Sequence, residues 1–214
     1  AFSFSTRQGG NSYVHGVYYN AYGYFAAVEK MFGTRHRLSL TLLGAPTERG
    51  AQQASTQEAY DLVGNNYYNP NWGWQDGKRR NTRVRNYHEP IAMLNYKFDI
   101  SDRTRLDVAT SLRFGKNGYS ALTWYSGRDP RPDYYRNLPS YYLSKKNYYQ
   151  AAWLQEYWLA NTDNIRHVDW DGLYNENYNG YEDPTYGPGH RSNSIVEERH
   201  TDQLDWNFSA QFSH

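Results

Sequence analysis

Cysteine is absent from this chain of 214 residues, so neither a disulfide framework nor a thiolate site can operate in it. The absence fits a reducing cytosol and, equally, an extracellular protein that needs no staples. Excess charge is also lacking: 23 Lys and Arg against 22 Asp and Glu leave a formal +1, which gives no bulk attraction for a polyanion. Long apolar runs are missing too. No stretch approaches the ~20 residues that a membrane-crossing helix needs, which excludes helical membrane proteins. It does not exclude membrane strands, which need only about 9–11 residues with one apolar face. The start at Ala1 has neither an initiator Met nor a basic, apolar leader, and reads as an internal cut. G-x-S-x-G, P-loop and G-x-G-x-x-G motifs are all lacking, and the seven His residues show no H-x-x-x-H or H-E-x-x-H spacing. No enzyme, metal site or cofactor is therefore expected.

What the chain has is aromatic rings: 23 Tyr and 7 Trp, in a sequence whose mean hydropathy is only −0.99. Many of its apolar residues recur at every second position. Leu38, Leu40 and Leu42 alternate with Ser39 and Thr41; Ala92, Leu94, Tyr96 and Phe98 with Asn95 and Lys97; Leu204, Trp206, Phe208, Ala210 and Phe212 with Asp205, Asn207, Ser209 and Gln211. Period two argues for strands with one oily face. Six strands are expected, near 1–7, 23–32, 37–45, 90–100, 105–125 and 202–214. The turns "GTRH" and "SDRTR" are short, whereas the loops near 8–22, 46–89 and 126–200 are long. Compact soluble domains seldom carry such loops, whereas transmembrane barrels pair short turns at one end with long loops at the other. The fold class expected is thus all-β, an antiparallel meander of about six long strands from a transmembrane β-barrel.

The long loops carry their own signals. "STQEAYDLVG" offers Ser55 as a helix cap with Glu58 three residues on, and "KKNYYQAAWLQEYWLAN" places Ala152, Leu154, Trp158 and Leu159 at helical spacing. "NIRHVDWDGLYNENYN" continues as a further short helix, and "EDPTYGPGHRSNS" reads as turn and coil. Asp169, Asp171 and Glu176 near Gly172 do not meet the spacing of a calcium loop. The basic cluster "KRRNTRVR" has no reader motif around it, so nucleic acid is not expected as a partner. The rings of "NNYYNPNWGWQDG" serve either to pack the loop or to stack on a flat ligand.

From "NAYGYFAAVEKMFGTRHRLSLTLLGAPTERGAQQASTQEAYDL" through "NNYYNPNWGWQDGKRRNTRVRNYHEPIAMLNYKFDI", about 80 residues in all, the chain resembles the barrel of TonB-dependent outer-membrane receptors. It is most similar to the subgroup with a carboxypeptidase-regulatory-like N-terminal domain. The resemblance implies an outer-membrane transporter of a Gram-negative bacterium. Its 22-stranded barrel would be closed by a plug domain, and uptake of a scarce nutrient would be energised through the TonB complex. On that reading the chain is an internal part of the barrel. The plug and the remaining strands lie outside it, lipid bathes the oily faces, and the long extracellular loops form the vestibule for a small-molecule, sugar or peptide ligand. Ligand contacts are expected from Tyr67, Trp72, Trp74, Trp124, Trp153 and Trp170, with Arg79, Arg80 and Arg128 as polar partners. The alternative is a soluble, aromatic-rich β domain that binds carbohydrate, with its oily faces packed against a second sheet.

Overall fold

The computed structural model describes residues 1–10, 13–125, 127–180 and 191–214. The turn-and-coil expectation over 182–194 falls mostly on residues outside this set. The strands are β1 (Phe2–Gly9), β2 (Tyr18–Phe32), β3 (His36–Gly44), β4 (Thr47–Gly50), β5 (Trp72–Gln75), β6 (Lys78–Asn81), β7 (Val84–His88), β8 (Ile91–Asp99), β9 (Arg105–Trp124) and β10 (Ser194–Ser213). The helices are α1 (Gln57–Val63), α2 (Pro139–Ser144), α3 (Tyr148–Ala160) and α4 (Trp170–Tyr178). Strands dominate, and all pair antiparallel.

Two of the long strands are composite. β3 and β4 run in line along β2, and β8 and β7 run in line along β9, without any change of register. Each break falls at a proline, which has no N–H to give to the ladder. The carbonyls still serve: Tyr22 N–H donates to Pro46 O (3.0 Å) and Phe114 N–H to Pro90 O (3.2 Å). Gly115, at φ 144°, passes so close to the His88 carbonyl that a Cβ would overlap it. Counted this way, the main sheet is a six-stranded meander in chain order: β1, β2, β3 with β4, β8 with β7, β9, β10. The turns at 33–35 and 100–104 lie at one end, and the long connections at the other.

Several boundaries differ from the sequence expectation. The second strand begins at Tyr18 rather than near 23, and the last begins at Ser194 rather than near 202. The loop expected over 46–89 contributes β4 and β7 to the sheet, plus the separate hairpin β5–β6. "TERG" and "VRNYH" lack apolar alternation, and it is the backbone ladder carried on from the neighbouring strands that holds them.

The register sorts the side chains into two faces. One cross-strand row reads Phe2, Ala26, Leu42, Ala92, Leu112 and Trp206; the next reads Val28, Leu40, Leu94, Thr110 and Phe208. Leu42 is 43% exposed, Leu112 37% and Phe208 61%, and none of the buried apolar residues belongs to this belt. Tyr24 and Phe114 lie at its upper edge, and Phe32, Phe98 and Phe212 at its lower edge near the turns. The tyrosine hydroxyls find partners, Tyr24 with His88 Nε2 (3.0 Å) and Tyr96 with His36 Nδ1 (2.7 Å). The opposite face carries Ser39, Thr41, Asn95, Ser111, Asn207 and Ser209. It also carries the ion pairs Arg113–Asp205 (2.6 Å), Arg105–Asp99 (2.7 Å) and Arg37–Glu29 (3.7 Å). The main sheet is therefore a single layer with one mainly apolar side, where Lys30 is the charged exception, and one mixed side, where Phe25, Met31, Leu43, Ile91 and Met93 accompany the polar groups.

A small core does form, but in the loops. Ala59, Leu62, Tyr68, Leu138, Leu154 and Trp158 pack together from α1, α3 and the chain between them. Val168, Trp170 and Leu173 pack separately against Leu122 at the top of β9. The cap of α1 is Thr56, whose Oγ1 accepts from Ala59 N–H (3.2 Å), not Ser55. Ser55 instead donates to Asp133 Oδ2 (2.8 Å), and Glu58 accepts from Ser140 N–H (2.8 Å) at the start of α2. On α3 the buried face is Ala151, Leu154 and Trp158, while Ala152 and Leu159 face outward. α4 starts one residue after Asp169, whose carboxylate accepts from Gly172 N–H (2.9 Å).

Candidate functional site

The hairpin β5–β6 owes its place to one close approach. Gly73 lies against the Val168 carbonyl so tightly that any Cβ would overlap it, and Val168 N–H donates to Trp72 O (3.0 Å). This brings Trp72 under the chain at 13–17 and beside the segment after α3. Its ring stacks on His15 (5.9 Å), meets His167 edge-on (4.4 Å) and Trp74 edge-on (5.5 Å), and lies below the Arg79 guanidinium (5.4 Å). Arg79 also lies over Trp74 (5.5 Å), so one cation bridges two indoles.

A cleft of about 350 Å³ opens beside this cluster. Its walls include Tyr67, Trp72, Trp74 and Arg79, four of the nine residues expected at a site, together with Tyr13 and His167. Asn65, Asn69, Asn161 and Asn164 line it as well, supplying amide donors and acceptors among the rings. Trp72 is only 4% exposed and holds the cleft's shape; Trp74 (41%) and Tyr67 (54%) present the open surfaces. Tyr13 meets Tyr67 edge-on at 4.9 Å, widening the aromatic wall.

Burial governs the electrostatics here. It pushes the His167 imidazole down to about 4, with the neighbouring Arg166, His15 and Arg79 adding to the effect. Its Nδ1 is buried and makes no hydrogen bond among the described residues. Burial likewise raises the Tyr68 phenol well above its usual range, and that hydroxyl donates to Arg166 O (2.8 Å). Arg166 closes α3 by donating to Trp158 O (2.6 Å) and Leu159 O (2.8 Å), a cation at the carbonyl end of a helix.

The other expected residues lie apart from this cleft. Arg80 covers the buried Trp170 (4.1 Å to the ring centre) and donates to Tyr174 Oη (3.0 Å), lining a second hollow with Leu122 and Val196. Arg128 and Trp153 border a third, of about 470 Å³, between α3 and the 128–137 segment. That hollow meets the first at Asn164 and His167. Trp124 ends β9 beneath the Arg131 guanidinium (5.3 Å), whose carboxylate partner Asp129 is buried (2.6 Å). Sequence reasoning missed Tyr13, His15, the four asparagines and His167. In "NNYYN" the rings carry the sequence signal, although Asn65 and Asn69 line the same wall.

The rings, amides and Arg79 around the cleft can bind and orient a flat, polar-edged ligand. No protein-family model, curated protein or solved structure matches this chain.

Proposed function

We propose that the chain forms part of the wall of an outer-membrane transporter of the TonB-dependent kind, with its long loops shaping the ligand's entry on the cell surface. One observation carries the reading. A single-layer antiparallel sheet holds a predominantly apolar belt on one face, interrupted by Thr110 and, near the turns, by Lys30; it is edged by aromatic rows, nothing among the described residues packs over it, and the ion pairs lie on the face behind. Apolar belts of this size are aggregation liabilities in water and are at home in hydrocarbon. Backbone groups tolerate hydrocarbon only inside a paired sheet, and the ladders here run unbroken through the belt. The outer edges of β1 and β10 have no partner among the described residues, so a closed wall takes further strands on both sides. The plug and the TonB complex enter this proposal only through the resemblance.

A soluble carbohydrate-binding domain would bury the belt under a second sheet, and no such layer is present among the described residues. The absence of cysteine from these 214 residues leaves no competing thiol in this stretch, and any cysteines elsewhere in the full-length protein are replaced by serine before labelling. Single cysteines at Leu40, Leu94 and Phe208, and at Ser39, Asn95 and Ser209, are spin-labelled in the full-length protein in bilayers. Belt positions are expected to be accessible to oxygen and shielded from a water-soluble nickel chelate, with the reverse pattern at the other three. Equal access to the chelate on both faces would overturn the reading.

A further inference from the structure

The cleft beside Trp72 and the hollow between α3 and the 128–137 segment form one groove, because Asn164 and His167 line both. The turn between the two halves is left-handed: Asn161, Asp163 and Asn164 have φ of 52°, 53° and 56°, a conformation that Asn and Asp adopt more readily than other side chains. Each half has an aromatic surface. Trp74 and Tyr67 stand open in the first; Trp153, its ring centre 4.1 Å from that of Tyr157, borders the second. The first half is rich in donors and poor in acceptors. Asn65 Oδ1 accepts from Tyr67 N–H (2.6 Å) and Asn161 Oδ1 from Arg166 N–H (3.3 Å), which fixes both amides and leaves their Nδ2 groups without a partner among the described residues. Asn69 is engaged at both ends within the fold, donating to His15 O (3.2 Å) and accepting from Asn71 N–H (3.2 Å). Charge runs the same way. Arg79 and Arg166 line this half, and none of its described lining residues is a carboxylate. Arg166 donates to the carbonyls of Leu62, Trp158 and Leu159, which are dipoles and leave its charge uncompensated. The second half is balanced, with Arg128 and Arg136 against Asp163 and Asp169.

We infer that this groove binds an acidic oligosaccharide, with a hexuronate unit in the first half and the chain continuing into the second. The inference deepens the transporter reading and rests on it for the place of the loops at the ligand's entry. A sugar ring has an apolar face, which the Trp74 and Tyr67 rings meet, and an edge of oxygens, which the Asn65 and Asn161 amides and the guanidiniums meet. The carboxylate of a hexuronate adds a full negative charge where the described lining holds two arginines and no acid. Other ligand chemistries fit the wall less well. A peptide brings an N–H donor at nearly every residue and finds few acceptors in this half, and a flat aromatic acid leaves the amides without hydroxyls to bond. The second half, balanced in charge and bordered by Trp153, suits the further units of the chain.

The test uses the full-length protein in detergent, titrated calorimetrically with α- and β-linked hexuronate tetramers, the single hexuronate, matching neutral hexose tetramers, an acidic tetrapeptide and benzoate. At least one hexuronate tetramer is expected to bind tenfold or more tightly than its neutral counterpart, with an affinity that falls as salt rises. Trp153→Ala should remove the tetramer's advantage over the single hexuronate and leave the affinity for the single unit unchanged. Arg79→Gln should remove the preference for the acid, and Arg79→Lys should keep most of it. Tyr149→Ala, outside the groove and 83% exposed, should bind as wild type does. Protease resistance of residues 66–83 checks that the loops of each variant are folded, and the wild-type comparison of ligands decides without them. Equal binding of the neutral tetramers, tighter binding of the peptide or of benzoate, no binding of any hexuronate, or an unaltered preference in folded Arg79→Gln would overturn the inference. Spin labels that place the belt in lipid while no hexuronate binds would remove this inference alone. Labels that expose both faces to the chelate while the tetramer binds would remove the transporter reading and leave the groove.

Discussion

Gly73 and His167 act on the same few ångströms of the loop fold from opposite sides of Trp72. Gly73→Ala pushes a methyl group into the Val168 carbonyl, and only separation of the hairpin from the 167–170 segment relieves it. The expected result is faster protease nicking of residues 66–83, while the barrel proposed above still forms and migrates normally in unheated gels. His167 is neutral in the fold because burial lowers its pKa to about 4, whereas the opened loop binds a proton at the ordinary value near 6.5. The opened form therefore carries the extra proton between those values. Loop stability is full above pH 6.5, declines as pH falls toward 4, and is flat below. Allowing for its partial exposure, the loss is on the order of 2 kcal/mol. Asp133, whose carboxyl burial raises, works in the opposite direction as pH falls. The difference between wild type and His167→Phe isolates the histidine: loop proteolysis at pH 5 relative to pH 7 should accelerate several-fold more in wild type.

At the scale of elements, the belt and the face behind it should tolerate charge very differently. Leu94→Arg places a cation in the middle of the apolar rows and should cost about 2–4 kcal/mol of folding stability in bilayers. Asn95→Arg, one residue along the same strand, should cost under 1 kcal/mol beside other polar groups. Denaturant titration of folding into vesicles checks both. The same alternation explains what could be read from the sequence. Leu38, Leu40 and Leu42 declare their face by period two alone, and α3 declares itself by spacing. β4 and β7 were illegible because "TERG" and "VRNYH" carry no apolar signal; their place is set by ladders begun in other strands. Ser55 failed as a cap because Asp133, 78 residues away, takes its hydroxyl, and the adjacent Thr56 serves instead. In the cleft, Trp72 could be named but not weighed. Its burial comes from His15 and His167, which lie far along the chain on either side.

For the molecule as a whole, the membrane placement proposed above distributes stability between two solvents. The loop core answers to water: Trp158 is fully buried, and its indole N–H donates to Asn137 O (2.9 Å). Trp158→Ala should cost about 3–5 kcal/mol of loop stability, seen as increased amide exchange in α1 and α3, and leave exchange in β2, β3, β8 and β9 unchanged. The wall answers instead to its register. The tip of the turn at 100–104 lies two residues farther along the strand direction than the tip at 33–35, two strands away. One residue of stagger per strand, at about 3.3 Å per residue and about 4.8 Å between strands, leans the strands by about 35°. The stretch from Tyr24 to Phe32, about 27 Å long along β2, then stands about 22 Å high, close to the apolar height of an outer-membrane wall. In the proposed outer-membrane wall, two short turns thus set the pitch at which the sheet would wind about an axis, and with it the thickness of the hydrocarbon layer it would fit.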